Sequence, residues 1–495
     1  MDTGGPGRQL ESLTFDNTFA RLPEGFAVRV DPTPCSDPPR LIHVNPQALA
    51  LLDLDPREAT RPEFAGVFGG SLLVPGMEPL AMLYAGHQFG IYVPQLGDGR
   101  AILLGEVRNR AGDKWDLQLK GAGRTPFSRD GDGRAVLRST IREYLCSEAM
   151  YGLRIPTTRA LSVVGSSDKV YRERVETAAV LCRLAPSHVR FGSFEVLYHR
   201  GQHERLRLLA DYVIEHNYPE CREAPDRYAR WFRIVVERTA RLIAHWQAVG
   251  WAHGVMNTDN MSIIGLTLDY GPFGFLDDYD PGFICNHSDF NGRYAFDRQP
   301  DIGHWNLRCL AQALTPLVER EVLQDALTNY VGWYRETYFT LMRKKIGLVT
   351  VEGGDEELIA DWLALLQENS ADYTNTFRAL ASFSTTTGAT NEMLRDLFVN
   401  RAGFDAWAVR YKDRLLKESV GDAERPAGME AANPRYVLRN YLAQQAIEHA
   451  ERGDYTEIDR LLTILHDPYR DHPGMERYAA APPNWGKHLN ISCSS

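Results

Sequence analysis

His253-Gly254-Val255-Met256-Asn257-Thr258-Asp259-Asn260 is a short polar loop. It is followed by an apolar run, Met261 to Leu268, interrupted by Gly265. Asp269-Tyr270-Gly271 comes nine residues after Asn260. Asp and Asn on one side of a brief apolar run, with Asp-aromatic-Gly on the other, form a metal–nucleotide pattern, because such oxygens hold a hard cation and through it a phosphate.

The spacing matches the catalytic segment of protein kinases. There a His-Arg-Asp loop supplies a base and a metal-binding Asn, and a later Asp-Phe-Gly supplies the second metal contact. His253 and Asn260 keep that seven-residue separation, but Val255 stands where the base should be. A valine cannot accept a proton, so the chain is either a kinase that has lost catalysis or one with different chemistry.

The bulk properties narrow the setting. A chain of 495 residues with net charge -10 lacks the basic surface of a general nucleic-acid binder. It has no apolar run long enough to span a membrane, and its first 22 residues resemble neither a signal nor a transit peptide. A cytoplasmic location is expected. The cysteines at 35, 146, 182, 221, 285, 309 and 493 form no C-x-x-C pair, so a zinc knuckle is not expected. Cys493 lies in a polar tail, Ser492-Cys493-Ser494-Ser495, and is a redox candidate.

Upstream, Tyr84-Ala-Gly-His-Gln-Phe-Gly90 opens the segment where chemistry is expected to start. The runs 91–96, 101–107 and 115–120 read as a β-meander with a Gly97-Asp98-Gly99-Arg100 turn and Lys120 at the end of its third strand. A Gly-Asp-Gly alone is most often a plain hairpin turn. A strand lysine some twenty residues later makes it resemble a phosphate-covering hairpin. Gly121 to Arg134 holds glycines and arginines suited to an anion. Residues 135–151 read as a helix with Glu143 near its middle, the natural partner for Lys120. Arg183 sits in an apolar strand, where a buried guanidinium needs a partner, and Arg190 follows. Past 201 the pattern turns helical: 202–217, 226–249, 301–314, 319–343, 356–367, 391–399, 404–417 and 434–452.

With these motifs in hand, the chain resembles the selenoprotein O family of kinase-like protein nucleotidyltransferases over most of its length. The likeness rests on 84–90, on Leu119-Lys120-Gly-Ala-Gly-Arg-Thr-Pro-Phe-Ser-Arg129 and on Asp132-Gly-Arg-Ala-Val-Leu-Arg-Ser139. It continues through 253–260, 268–277, Asn433-Pro-Arg-Tyr-Val-Leu-Arg-Asn440 and the tail. Animal members carry selenocysteine there; this chain has Cys493, as bacterial members usually do.

The resemblance implies an α+β, bi-lobal protein kinase-like fold, with a β-rich small lobe (1–200) and a large helical lobe (201–495). It implies transfer of AMP from ATP, with UMP from UTP as a variant, to Ser, Thr or Tyr hydroxyls of protein substrates. The nucleotide is bound flipped, and neither nucleic acid nor membrane is a partner. Carried over, Gly97, Gly99, Arg100, Lys120, Asp132, Gly133, Arg183, Arg190 and Asp269 contact the nucleotide. Asp259 is the base, and Asn260 and Asp269 hold Mg²⁺ or Mn²⁺. Two other readings stay open: a non-catalytic nucleotide-binding pseudokinase scaffold, favoured by Val255, and a small-molecule phosphotransferase. A Cys285–Cys493 disulfide tying the tail to the loop after Asp269 is a further expectation.

Overall fold

The structure is a computed structural model that describes residues 7–489 and 491. Its strands are β1 (Ala27–Arg29), β2 (Arg40–Val44), β3 (Leu80–Met82), β4 (Gly86–Gln88), β5 (Ile91–Val93), β6 (Ala101–Arg108), β7 (Lys114–Lys120), β8 (Ala135–Val136), β9 (Arg159–Tyr171), β10 (Val175–Ala185), β11 (Trp251–Ala252) and β12 (Gly274–Phe275). Eight of them form one antiparallel sheet in the order β1-β3-β6-β7-β10-β9-β2, with β8 on β10. Helices α1 (Pro46–Leu51) and α2 (Pro62–Phe68) precede β3, and α3 (Leu137–Gly152) follows β8. Next come α4 (Phe191–His199), α5 (His203–Asn217) and α6 (Arg227–Val249). The rest of the chain is mainly helical.

Alternation along the central strands separates two environments. Leu119 pairs with Ile102 and Cys182, and Leu117 with Leu184; these side chains join Leu49, Phe64 and Phe68 of α1 and α2 in one apolar core. The intervening positions face the other way. Lys120 pairs with Leu181 and Gln118 with Arg183, which puts Lys120, Gln118 and Arg183 on the face that α3 covers. Ile141, Leu145 and Ala149 of α3 belong to the large core on that side. Gly152 lets the end of α3 approach the helix Thr456–His466: a Cβ there would lie 1.8 Å from the Leu465 carbonyl oxygen.

In α6 the buried Trp231, Val235, Leu242 and Trp246 recur at helical spacing and anchor it in the core. Gly250, at φ 76°, stops the helix in the left-handed conformation that glycine adopts without strain. The chain then enters β11, which pairs with β12, and so reaches His253 in a fixed direction.

Several elements differ from the sequence pattern. The expected meander forms only in part: β6 pairs with β7, but β5 pairs with β4 and not with β6. Gly97-Asp98-Gly99 is not a hairpin turn. The Asp98 N–H donates to the Met82 carbonyl, and the Met82 N–H donates to the Asp98 carboxylate, so the residue caps the end of β3 instead. Ala135 and Val136 pair with β10 before α3 begins, so strand pairing overrides helical periodicity there. The 319–343 pattern divides at Asn329 into Arg320–Thr328 and Tyr330–Lys345. Within 391–399 only Glu392–Arg395 is helical. No helix among the described residues is long and apolar enough to cross a membrane.

Gly152→Ala should lower unfolding stability by about 1–3 kcal/mol, the usual cost of overpacking. Denaturant titration reads this directly; an unchanged midpoint would show that α3 does not depend on that approach.

Candidate active site

The site is built on the polar face of the sheet. Lys120 Nζ lies 2.5 Å from Glu143 Oε2, so the strand lysine and helix glutamate pair as the spacing predicts. Arg183 Nη2 lies 2.5 Å from the other oxygen of Glu143 and 2.6 Å from Asp269 Oδ1. Arg190 Nη1 lies 2.5 Å from Asp269 Oδ2 and donates to the Asp259 carbonyl at 2.8 Å. Two carboxylates thus hold three buried cations. Burial alone would raise the Asp269 carboxyl, but Arg183, Arg190 and Lys120 outweigh it and keep it well below the usual range. Burial brings the Lys120 ammonium down to about 8; Glu143 opposes this, while Arg183 and Arg100 add to it.

Arg190 reaches this cluster because Val189–Phe191 pairs with Met261–Ile263, the run behind the His253–Asn260 loop. It stands at the N-cap of α4, with its guanidinium over the Tyr84 ring at 4.5 Å. Asp269 itself adopts φ 59°, an uncommon conformation for a non-glycine residue.

The loop is held from within. His253 is fully buried, and burial lowers its imidazole to about 4, so the ring is neutral. Nε2 donates to the Leu268 carbonyl at 3.2 Å, and Nδ1 accepts the Val255 N–H at 3.3 Å. One ring thereby ties the loop to the residue before Asp269. The Val255 carbonyl accepts the Asn260 amide at 2.9 Å, which presents the Asn260 oxygen as the free end of that side chain. Val255 therefore contributes its backbone where a kinase would use a side chain.

The β4–β5 hairpin clamps the same loop from outside. The His87 N–H donates to Thr258 Oγ1 at 2.7 Å, and Thr258 donates to the buried Glu195 at 3.1 Å. Glu195 also bonds His87 Nδ1 at 3.0 Å. Gln88 Nε2 reaches Asp259 Oδ2 at 3.3 Å, and the Phe89 N–H donates to the Tyr294 hydroxyl at 2.8 Å. Gly86 presses against Asp259: a Cβ there would lie 2.6 Å from Oδ1. Burial, resisted by Arg190, raises the Asp259 carboxyl to about 7. A group that titrates near neutrality is suited to taking up a proton.

At the mouth, Gly97 sits under the Phe127 ring, and the Ser128 hydroxyl donates to the Gly99 carbonyl. Gly133, at φ 71°, lies so close to Gly123 that a Cβ would come within 2.1 Å of its carbonyl oxygen. Asp132 is at the rim and pairs with Arg172 at 2.8 Å. Gly97, Gly99, Arg100, Lys120, Asp132, Gly133, Arg183, Arg190, Asp259, Asn260 and Asp269 all line one cavity of about 430 Å³. Arg183 Nε, Arg190 Nε and Asp259 Oδ1 are buried there without a hydrogen-bond partner, so the cavity offers unspent donors and an acceptor to a polar ligand.

A family model described as protein adenylyltransferase SelO matches residues 9–466. The chain belongs to the SelO family. A protein nucleotidyltransferase YdiU of Myxococcus xanthus (strain DK1622) is 60% identical over 486 residues, covering 98% of this chain and 99% of the relative. The protein of that name from Thiobacillus denitrificans is 60% identical over 489 residues, covering 98% and 99%. The one from Pseudomonas fluorescens (strain Pf0-1) is 55% identical over 489 residues, covering 99% and 100%. SelO membership makes this chain one of an enzyme family of nucleotidyltransferases.

Sequence reasoning missed several residues of this candidate site. Glu195, Thr258 and Tyr294 support the loop, Gln118 donates to Asp98, and Arg172 lines the mouth. The 84–90 motif was the available signal for the clamp, but its target was not readable from spacing. Cys285 is buried, with its thiol 3.6 Å from the Ala252 carbonyl. The nearby His287 N–H donates to the Ile491 carbonyl at 2.8 Å. Cys493, the expected disulfide partner, lies outside the described residues.

A buried neutral His253 destabilises the fold in acid. The unfolded imidazole protonates near 6.5 and the folded one only near 4, so stability falls as pH drops through that window. The contribution is on the order of 3 kcal/mol. His253→Gln, which keeps a donor for Leu268, should flatten the slope of stability against pH between those values; an unchanged slope would show that His253 is not the group responsible.

Proposed function

We propose that this chain transfers AMP from ATP, with UTP as a variant donor of UMP, to Ser, Thr or Tyr hydroxyls of proteins and releases pyrophosphate. The fold reading that goes with it is bi-lobal and kinase-like, with residues 1–200 as the sheet lobe and 201–495 as the helical lobe. One observation carries the proposal. Lys120 and Arg183 lie on the sheet side of a cavity whose loop side bears Asp259 and Asn260, and Arg190, at the cap of α4, joins the two by holding Asp269 and the Asp259 carbonyl. In this reading the cations stabilise the departing pyrophosphate and the carboxylate receives the acceptor hydroxyl.

The residues fit a divalent cation. Asn260 offers an amide oxygen, fixed by the bond to Val255, and each Asp269 oxygen keeps a second lone pair besides its arginine. Such hard oxygen donors suit Mg²⁺ or Mn²⁺. When bound, the ion supplies Lewis-acid charge to the phosphate oxygens.

The acceptor oxygen attacks the α-phosphorus, and the bond from that phosphorus to the pyrophosphate oxygen breaks. The hydroxyl proton passes to Asp259. Lys120 and Arg183 bind the leaving pyrophosphate, Arg190 orients the phosphates beside Asp269, and Arg100, Gly97, Gly99, Asp132 and Gly133 shape the mouth. The loop-clamping hairpin keeps Asp259 in position.

Incubation with a protein extract, Mg²⁺ or Mn²⁺, and ATP labelled at the α- or γ-phosphate tests the reading. α-Label on protein is expected. γ-Label on protein or metabolite would indicate a phosphotransferase, and bound ATP without transfer would indicate a scaffold. Lys120→Met and Asp269→Asn should each reduce α-label transfer about 100-fold or more; full activity in either would refute the assignment.

The clamp has its own prediction. Gly86→Ala should displace Asp259 and lower transfer about tenfold or more, while ATP affinity stays close to that of the parent chain. An equal loss in affinity would place the defect in nucleotide binding instead.

A further inference from the structure

A second cavity of about 530 Å³ shares no lining residue with the candidate active site. It lies among the end of α6, the helix Tyr330–Lys345 and the helix Arg425–Ala432. Its size falls in the range of small-molecule sites, about 300–1,000 Å³. The walls are mostly apolar, with Ile155, Val249, Leu341, Leu348 and Met429 among them.

Lys345 lines this cavity and is only 5% exposed. Its Nζ lies 4.3 Å from the centre of the Phe377 ring and 5.2 Å from that of Tyr373. Among the described residues it has no carboxylate or hydrogen-bond partner. A buried ammonium held only by ring faces is costly. Burial lowers it to about 7, whereas an anion beside it would restore its charge. The other charged groups at the cavity also favour an anion. Lys344, Arg154 and Arg425 stand against Glu424 alone, on a chain whose net charge is -10, while burial lowers the His245 imidazole and keeps it neutral.

We propose that this cavity binds a small amphiphilic carboxylate, with its apolar body along the walls and its head on Lys345. Burial of the hydrocarbon supplies affinity, and the ammonium supplies the preference for a charged head. A single carboxylate matches the one unpartnered ammonium, whereas a phosphate dianion calls for a second free cation. Arg425 is already paired with Asp422 at 2.7 Å, and Arg154 stacks on Tyr469.

Octanoate is the probe, with octanol as the uncharged body and inorganic phosphate as the bare anion. Calorimetric titration of the full chain should show one saturable octanoate site and none for phosphate. Lys345→Met removes an unpartnered buried charge at nearly constant volume, so the fold should survive. It should weaken octanoate about tenfold or more and leave octanol binding unchanged. Circular dichroism of Lys345→Met checks that the fold is kept, and octanol binding to the same variant is the second measurement. No saturable octanoate heat at millimolar concentration, octanoate affinity unchanged in Lys345→Met, or octanol binding lost together with octanoate in that variant would each overturn the proposal.

Discussion

Glu143 and Asp269 divide three buried cations between them, and the rest of the site follows from that sharing. Lys120 comes from β7, Arg183 from β10 and Arg190 from the cap of α4. Glu143 comes from α3, and Asp269 follows the His253–Asn260 loop. These segments meet only if the sheet, α3 and the loop are all in register. Buried ion pairs add little net stability, since desolvation offsets most of the attraction. Their effect here is positional: with three cations against two carboxylates, the floor keeps an excess of positive charge aimed into the cavity. An anionic phosphate group answers that excess.

The loop that closes the cavity is fixed with equal care. His253 links it inward to Leu268, while the β4–β5 hairpin links it outward through Thr258, Asp259 and Asn257. Val255, which looks like a lesion beside a kinase loop, lends its carbonyl to Asn260. Losing the carboxylate two residues after the histidine therefore does not empty the loop of function. Asp259 provides a carboxylate one residue before Asn260, inside the same cavity.

Much of this was legible from the residues. Lys120 and Glu143 could be paired from a strand followed by a helix, and Arg183 betrayed itself as a cation in an apolar strand. Those signals are local or periodic. Gly97-Asp98-Gly99 misled because the same dipeptides make hairpin turns, whereas here the carboxylate of Asp98 caps a distant strand end. Glu195 and Tyr294 were invisible because their partners lie 63 and 37 residues away, a separation that no spacing rule encodes. Ala135 and Val136 read as helix because their pairing partner, β10, lies more than 40 residues downstream. The family resemblance supplied the site roles, and the geometry supplied the physical reason that those residues share one cavity.

The central claim is the direction of the bound nucleotide. A structure of the chain with a non-hydrolysable ATP analogue and Mn²⁺ measures it. The account predicts β- and γ-phosphates against Lys120 and Arg183, with the α-phosphorus nearest Asp259. A γ-phosphate nearest Asp259, with the base lying among the cations, would contradict it.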